Sequence, residues 1–308
     1  MFHSILVPLD GTRFAESVLP AALRLARGAR ARLHLMLAHQ PLAALVGSGE
    51  MVAADPSQDM AVREEQQKYL SETVERLGQV GEGPITSSQR DGAAGDSICE
   101  EAALAGADLI VMATHGRSTL GRLWLGSVSN HVVRHAGVPV LLVHPNRAER
   151  VLERRTGAGI LVALDLSPFS EAILEPVTQL ASVLQAHITL LHVVEPNYYS
   201  VGPAIPYPLT QDATITEVRR ADAQRRLDEI AERLRARGFS TSSKVMIGPS
   251  AAGAVLETLE LSKYDAVAMT THGAGGMRRL FLGSVADKVI RSAGKPVLIL
   301  RPGPAPEE

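Results

Sequence analysis

The 308-residue chain has one cysteine, few aromatic side chains and no apolar run long enough to span a bilayer. A lone Cys99 excludes an internal disulfide and a cysteine metal cluster. Within a helical pattern it reads as a small core residue rather than a reactive thiol. An excess of one charge is also missing. Lys and Arg number 31 against 33 Asp and Glu, a formal net charge of −2, so neither nucleic acid nor an anionic membrane is expected as a partner. Residues 1–10 run straight into a strand with no basic region or cleavage site, so a reducing, cytoplasmic setting is expected. What is present, 45% hydrophobic and 21% charged residues, suits a globular protein with room for two cores.

The chain contains one pattern twice. Residues 113–128 read ATHGRSTLGRLWLGSV and residues 270–285 read TTHGAGGMRRLFLGSV, each after a short apolar run, LIVM at 109–112 and AVAM at 266–269. Such a run reads as a buried strand. Asp10 and Asp165 lie 155 residues apart, and Gly116 and Gly273, Gly126 and Gly283, and Pro139 and Pro296 each lie 157 apart. A period this long is a duplicated domain, not a solenoid repeat.

In the first copy, strands are expected at 4–9, 32–37, 85–89, 108–113 and 138–143, with Pro139 suggesting an edge position for the last. Helices are expected after Thr12, with Ala15, Val18, Leu19, Ala22 and Leu25 on one face, and at 59–78, 96–105 and from Ser127 to His135. Residues 40–58 read as a mobile loop and the mostly charged 146–157 as a linker. The order then restarts. Strands fall at 159–165, 187–193, 240–246, 265–270 and 297–300, a helix starts at Ser167-Pro168, and another covers 217–237. The fold class is therefore α/β, two tandem doubly wound parallel five-stranded sheets. The domains are 1–145 and 158–302, with a tail at 303–308, packed as an internal pseudo-dimer through the strands at 138–143 and 297–300.

Each repeated stretch joins a strand, a glycine-bearing loop and a helix start that Ser127 or Ser284 is expected to cap. Free amides and the dipole at a helix start receive anions, so a phosphate fits between Gly116 and Ser127 and between Gly273 and Ser284. A plain strand-to-helix crossover with tight glycine turns would carry the same residues. Open doubly wound sheets bind ligands beyond the carboxyl ends of their strands, where Asp10, the end of strand two and the 113–116 loop would converge.

These residues make both halves resemble the universal stress protein family, whose signature is Gly, two residues, Gly, nine residues, then Gly with Ser or Thr. Gly116 with Gly126-Ser127, and Gly273 with Gly283-Ser284, keep the spacing; Ala113 and Thr270 stand in place of the first glycine. The resemblance implies an adenine nucleotide alpha hydrolase-like fold that binds ATP, with or without magnesium, and the nucleotide base near the strand-one aspartate. It carries to Pro8, Leu9, Asp10, Gln40, Met112, Ala113, Gly116, Gly126, Ser127 and Val128. In the second half it carries to Leu164, Asp165, Val193, Met269, Thr270, Gly273, Gly283, Ser284 and Val285. Ala163 stands against Pro8, and Gln40 is matched to Val193. A homodimer of chains is also implied.

Other candidates point less sharply. Asp10 and Asp165 lack a partner carboxylate except Glu16 and Glu171, which sit inside helices, so general acid/base chemistry is not expected. His115 and His272 either assist a phosphoryl group or anchor loop backbone. His131 and His135 have the spacing of a zinc pair, yet Lys288 and Ser292 replace them in the second copy and no third ligand is evident, so no metal is expected. Arg117, Arg122, Arg278 and Arg279 either neutralise a polyphosphate or are solvated. The loop 195–214, with Tyr198, Tyr199 and Tyr207, is a lid, a partner contact or drift. The leading expectation is an ATP-binding regulatory protein of the stress response. A nucleotide-free scaffold and a slow ATPase are the alternatives, the last opposed by the lack of a Walker loop and of lysine in either key loop.

Overall fold

A computed structural model describes residues 1–41, 43–45, 51–53, 56–80, 83–114, 125–144, 158–196, 198–199, 210–211, 213–261, 264–272 and 282–303. The chain forms two compact units, essentially Met1–Glu153 and Arg154–Leu298.

The first unit holds strands β1 (Ser4–Leu9), β2 (Arg32–His39), β3 (Ile85–Asp91), β4 (Leu109–Ala113) and β5 (Val140–Val143) in the order β3-β2-β1-β4-β5. The pairings are parallel. Parallel strands need crossovers, and helices α1 (Arg13–Glu16), α2 (Leu19–Ala29), α3 (Pro56–Gly78), α4 (Ala94–Leu104) and α5 (Ser127–His135) supply them. Covered on both faces, β1 and β4 are buried at every position, which explains why both read as unbroken apolar runs. The outermost β3 (ITSSQRD) is polar and half-exposed along its length.

The second unit repeats the plan with β6 (Gly159–Ala163), β7 (His187–Val194), β8 (Thr241–Ile247), β9 (Ala266–Thr270) and β10 (Val297–Leu300), ordered β8-β7-β6-β9-β10. Its helices are α6 (Pro168–Glu171), α7 (Leu174–Leu184), α8 (Ala213–Ala236), α9 (Ala251–Glu260) and α10 (Ser284–Ser292). Each sheet changes direction of growth between its first and fourth strands, the topological switch point at which such folds bind ligands.

Several expectations are corrected. The single helix expected after Thr12 is two, because the chain turns at Ser17 and Val18 before restarting with Pro20 in the first turn of α2. The apolar face is nevertheless continuous: Ala15, Val18, Leu19, Ala22 and Leu25 are all buried. The expected mobile loop at 40–58 instead contains an antiparallel ribbon, Ala43–Leu45 with Met51–Ala53, and α3 already starts at Pro56. Helix α8 starts at Ala213, ahead of the expected 217, and buries Leu227, Ile230, Ala231 and Leu234 as its stripe requires. In the loop 195–214, Tyr198–Tyr199 pairs antiparallel with Thr210–Gln211. Tyr207 and the expected linker 146–157 lie outside the described residues. Pro139 precedes β5 rather than lying in it, and its carbonyl accepts from Ile110 N at 3.0 Å. Among the described residues no helix is long and apolar enough to cross a membrane.

Candidate functional site

The exit of each first strand is built the same way. Thr12 donates its backbone N–H (2.9 Å) and its hydroxyl (2.6 Å) to Asp10 Oδ1, and its Oγ1 accepts from Ala15 N at 3.2 Å. Ser167 does the same with Asp165, at 2.9 and 2.6 Å, and caps Ser170 N at 3.2 Å. Each aspartate therefore closes an Asx turn that fixes the path out of the strand and presents a carboxylate at the sheet's carboxyl edge. Neither Glu16 nor Glu171 joins it. Glu16 accepts from Tyr69 Oη (3.0 Å) and Arg76 Nη2 (2.6 Å), while Glu171 pairs with Arg233. These contacts fasten α3 to α1 and α8 to α6. Burial, then the bond to Glu16, push the Tyr69 hydroxyl well above its ordinary value.

The register of the second strands corrects one equivalence. Pro8 pairs with Met36 and its counterpart Ala163 with Leu191, so Val193 corresponds to Ala38, and Gln40 to Glu195. Gln40 lies beyond β2, exposed. Ala38-His-Gln-Pro41 and Val193-Val-Glu-Pro196 align in this register without a gap, prolines included, so matching Gln40 to Val193 is a slip of two residues.

The fourth strands lead into the helix starts. Gly126 and Gly283, not Ser127 and Ser284, are the N-caps; the serines are the first helical residues and make no capping bond. The reason is a close approach. Gly126 N donates to Thr114 O at 3.0 Å and Gly283 N to Thr271 O at 2.9 Å. A Cβ on Gly283 would lie 2.9 Å from that same Thr271 oxygen. The first helical bonds, Asn130 N to Gly126 O and Asp287 N to Gly283 O, are both 2.8 Å. The amides of Ser127, Val128 and Ser129, and of Ser284, Val285 and Ala286, thus precede the helical ladder and face outward from a positive dipole end. The loops are tied down differently. Ser129 Oγ donates to Ala113 O at 3.0 Å in the first unit, whereas in the second Thr270 Oγ1 donates to His272 O at 2.7 Å. His272 Nδ1 lies 3.0 Å from Thr271 Oγ1.

In the second unit these pieces surround one cleft of about 410 Å³. Leu164 and Asp165 come from the exit of β6, Val193 from β7, Met269 and Thr270 from β9, and Gly283, Ser284 and Val285 from the start of α10. The structure also brings in Ala163, His192, Ala251 and Val255, which the sequence reading did not include. His192 Nδ1–H donates to Leu164 O at 2.8 Å; the shared edge of β6 and β7 could have suggested it. In the first unit, Pro8 and Leu9 are buried at the end of β1 and Met112 and Ala113 at the end of β4, while at the start of α5 Gly126 and Val128 are half-buried and Ser127 is exposed. Gly116 and Gly273, together with His115, Arg117, Arg122, Arg278 and Arg279, lie outside the described residues.

The remaining candidates are structural contacts. His131 and His135 stack with ring centroids 4.1 Å apart, His135 Nδ1 donates to His131 O at 2.8 Å, and His131 Nε2 lies 2.8 Å from Asp96 Oδ1. Among the described residues no three His, Cys, Asp or Glu side chains are placed to hold a metal ion. Cys99 is half-buried rather than in the core, and burial pushes its thiol up to about 11, against thiolate chemistry. On the α4 side of the sheet, buried Glu101 accepts from Ser88 (2.7 Å) and Arg90 (2.8 Å) and meets His34 Nε2 at 2.8 Å. Burial alone would raise its carboxyl, but these three partners together hold it below the usual carboxylate range.

A sequence profile described as the universal stress protein family matches residues 1–144 and 159–301. A universal stress protein of Mycobacterium tuberculosis H37Rv is 28% identical over 197 residues, covering 63% of this chain and 62% of that protein. One from Mycolicibacterium smegmatis is 30% identical over 197 residues, covering 64% and 62%. The chain thus spans less than two thirds of the length of the curated relatives it matches. The crystal structure of a universal stress protein from Archaeoglobus fulgidus is similar over 97% of this chain and 98% of that one, with a TM-score of 0.69 at 20% identity. At that identity the likeness speaks for the fold.

Proposed function

This chain belongs to the universal stress protein family, and on that premise we propose that it is an ATP-binding regulatory protein of the stress response. The observation that carries the reading is the second unit's cleft of about 410 Å³, which falls within the range of small-molecule sites. It runs from an aspartate at one strand exit to a glycine-capped helix start. That pairing suits a nucleotide, because the amides of Ser284, Val285 and Ala286 receive phosphate while the apolar walls Leu164, Val193 and Met269 take the base. Asp165 is then a ribose or base-edge acceptor, and magnesium would travel with the phosphates. The first unit offers the equivalent place at Pro8, Leu9, Asp10, Met112, Ala113, Gly126, Ser127 and Val128. Gly116 and Gly273 belong to the phosphate loops. Ala38 replaces Gln40 as the strand-two member.

Among the described residues lining the cleft no carboxylate pair is placed to activate water, and in this reading nucleotide binding biases conformation or partner choice rather than driving turnover. The working domains are 1–145 and 158–302, joined by 146–157, in a cytoplasmic protein that self-associates as a homodimer. A nucleotide census tests the reading: the purified protein is denatured, released nucleotide is identified by chromatography, and ATP bound per chain is counted by titration. One or two ATP per chain supports it. None at millimolar ATP with magnesium removes it and leaves the nucleotide-free scaffold.

A further inference from the structure

We propose that His39 is held as a buried imidazolium, forming a proton-dependent latch that fixes the start of α3 against the end of β2 in the first unit. The His39 side chain is 0% exposed, the most deeply buried of this unit's described histidines, and it serves no part of the proposed nucleotide site. Its protonation follows from a relay of hydrogen bonds. The Gln89 side-chain amide lies 3.4 Å from the backbone carbonyl of Arg63, which only accepts, so the atom there is the amide nitrogen. That nitrogen donates to Gln66 at 2.8 Å, so Gln66 presents its oxygen. The same Gln66 oxygen faces His39 Nδ1 at 2.9 Å, and Nδ1 must therefore carry a proton. On the other side of the ring, Nε2 lies 3.2 Å from each oxygen of the Asp59 carboxylate, which also requires N–H. Two donors facing two acceptors make a cation, and Asp59 supplies its countercharge.

The surrounding charges are consistent with this state. On α3, Arg63 Nη2 is committed to Asp91 Oδ1 at 2.7 Å. Asp91 is the β3 register partner of His39. On β1 no residue of Ser4–Leu9 titrates, and Asp10 beyond it is engaged by Thr12. Arg27 on α2 donates to Val80 O, and Arg24 completes that helix's charge. Asp96, Glu100 and Glu101 lie on α4, where Glu101 meets His34.

Losing either ring proton would leave a buried nitrogen lone pair against an acceptor, which costs the bond and adds repulsion. The latch therefore needs both ring protons and is lost when either one leaves. At acid pH, protonation of Asp59 removes the countercharge from the other side. The second unit has Val194 at this register position, buried and unable to titrate. At this register position the first unit is proton-sensitive and the second is not. The inference is independent of nucleotide binding.

Long-range proton–nitrogen spectra of the full chain, with His39 assigned by comparison with His39→Val, read the ring directly. Both nitrogens protonated at pH 7 is the expected result; a singly protonated ring at pH 7 overturns the proposal. Hydrogen exchange supplies the second reading. From pH 7 to pH 10, protection of the first turns of α3 should fall about tenfold or more relative to those of α8. His39→Val should abolish that difference, and an equal pH dependence in both proteins overturns the latch. Should His39→Val fail to fold, Asp59→Asn tests it instead. Loss of the countercharge lowers the pH at which the ring titrates, and an unchanged titration refutes the pairing.

Discussion

Replacing Gly283 by alanine probes the helix start with a single methyl group. The residue has φ −61° and ψ 148°, a conformation open to any amino acid, so backbone strain is not at issue. The added Cβ would instead lie 2.9 Å from Thr271 O. That oxygen cannot simply retreat, because it accepts the Gly283 amide at 2.9 Å and fixes where β9 hands over to α10. Overpacking of this kind costs about 1–3 kcal/mol, offset by about 0.4–1 kcal/mol from the stiffer unfolded chain. If the shift falls on the phosphate-facing amides, affinity at the second cleft weakens roughly five- to a hundredfold, since each 1.4 kcal/mol is about tenfold. Isothermal titration with ATP should then show one site lost or weakened, with a modest drop in Tm. Gly253→Ala is the control. Its Cβ would sit 3.6 Å from Ser250 Cβ, an ordinary contact, and alanine in α9 should be neutral or stabilising by up to about 1 kcal/mol. An unchanged ATP isotherm for Gly283→Ala, at the wild-type stoichiometry, would refute the assignment of this helix start to phosphate.

Gly95→Ala should lower stability by about 1–3 kcal/mol in chemical denaturation, because its Cβ would lie 2.6 Å from the His131 ring. Adding His131→Ala should recover much of that loss, as a shared contact predicts. Cys99, with its thiol raised to about 11, should react slowly with thiol reagents at pH 8 and speed up only as the pH approaches that value. Fast labelling of the native chain at pH 8 would contradict its burial. Glu101→Gln should cost about 1–3 kcal/mol at neutral pH by loss of charge-assisted bonds. The Glu101 carboxyl is depressed in the folded state, so its stabilisation is present above the ordinary carboxylate range and disappears as pH falls through the lower folded value. The deficit of the variant should shrink accordingly in acid, measured as Tm against pH.

The duplication and the strand sequence were legible because parallel strands buried on both faces write their burial as apolar runs, as in Leu109–Ala113 and Ala266–Thr270. The turn chemistry at Asp10-Thr12 and Asp165-Ser167 was equally local, and residue type alone named the caps. What escaped was everything set by approach between segments distant in the chain. A serine after a glycine has the composition of an N-cap, yet the 2.9 Å contact to Thr271 O gives that role to Gly283. The His39, Gln66 and Gln89 relay joins β2, α3 and β3, and no spacing rule connects those positions. The match of Gln40 to Val193 is different in kind: it is a two-residue slip that the prolines Pro41 and Pro196 already mark and that the strand register makes plain.

That register also records how the two copies have diverged. Corresponding residues are 155 apart through β1 and β2, as for Pro8 and Ala163 or Met36 and Leu191. In β3 and β8 the interval is 156, since Ile85 and Thr241 pair with the equivalent Leu33 and Ile188. From β4 onward, as for Leu109 and Ala266, it is 157. Every length change thus falls in a connection, one between the second and third strands and one ahead of the helix that follows, while the strands and the glycine-capped turn have kept their length. Gene halves recombined within β1, or anywhere from β4 to the end of α5, would keep every ladder in phase. Crossovers placed in the two connections would be where inherited insertions accumulate and where new ones are tolerated.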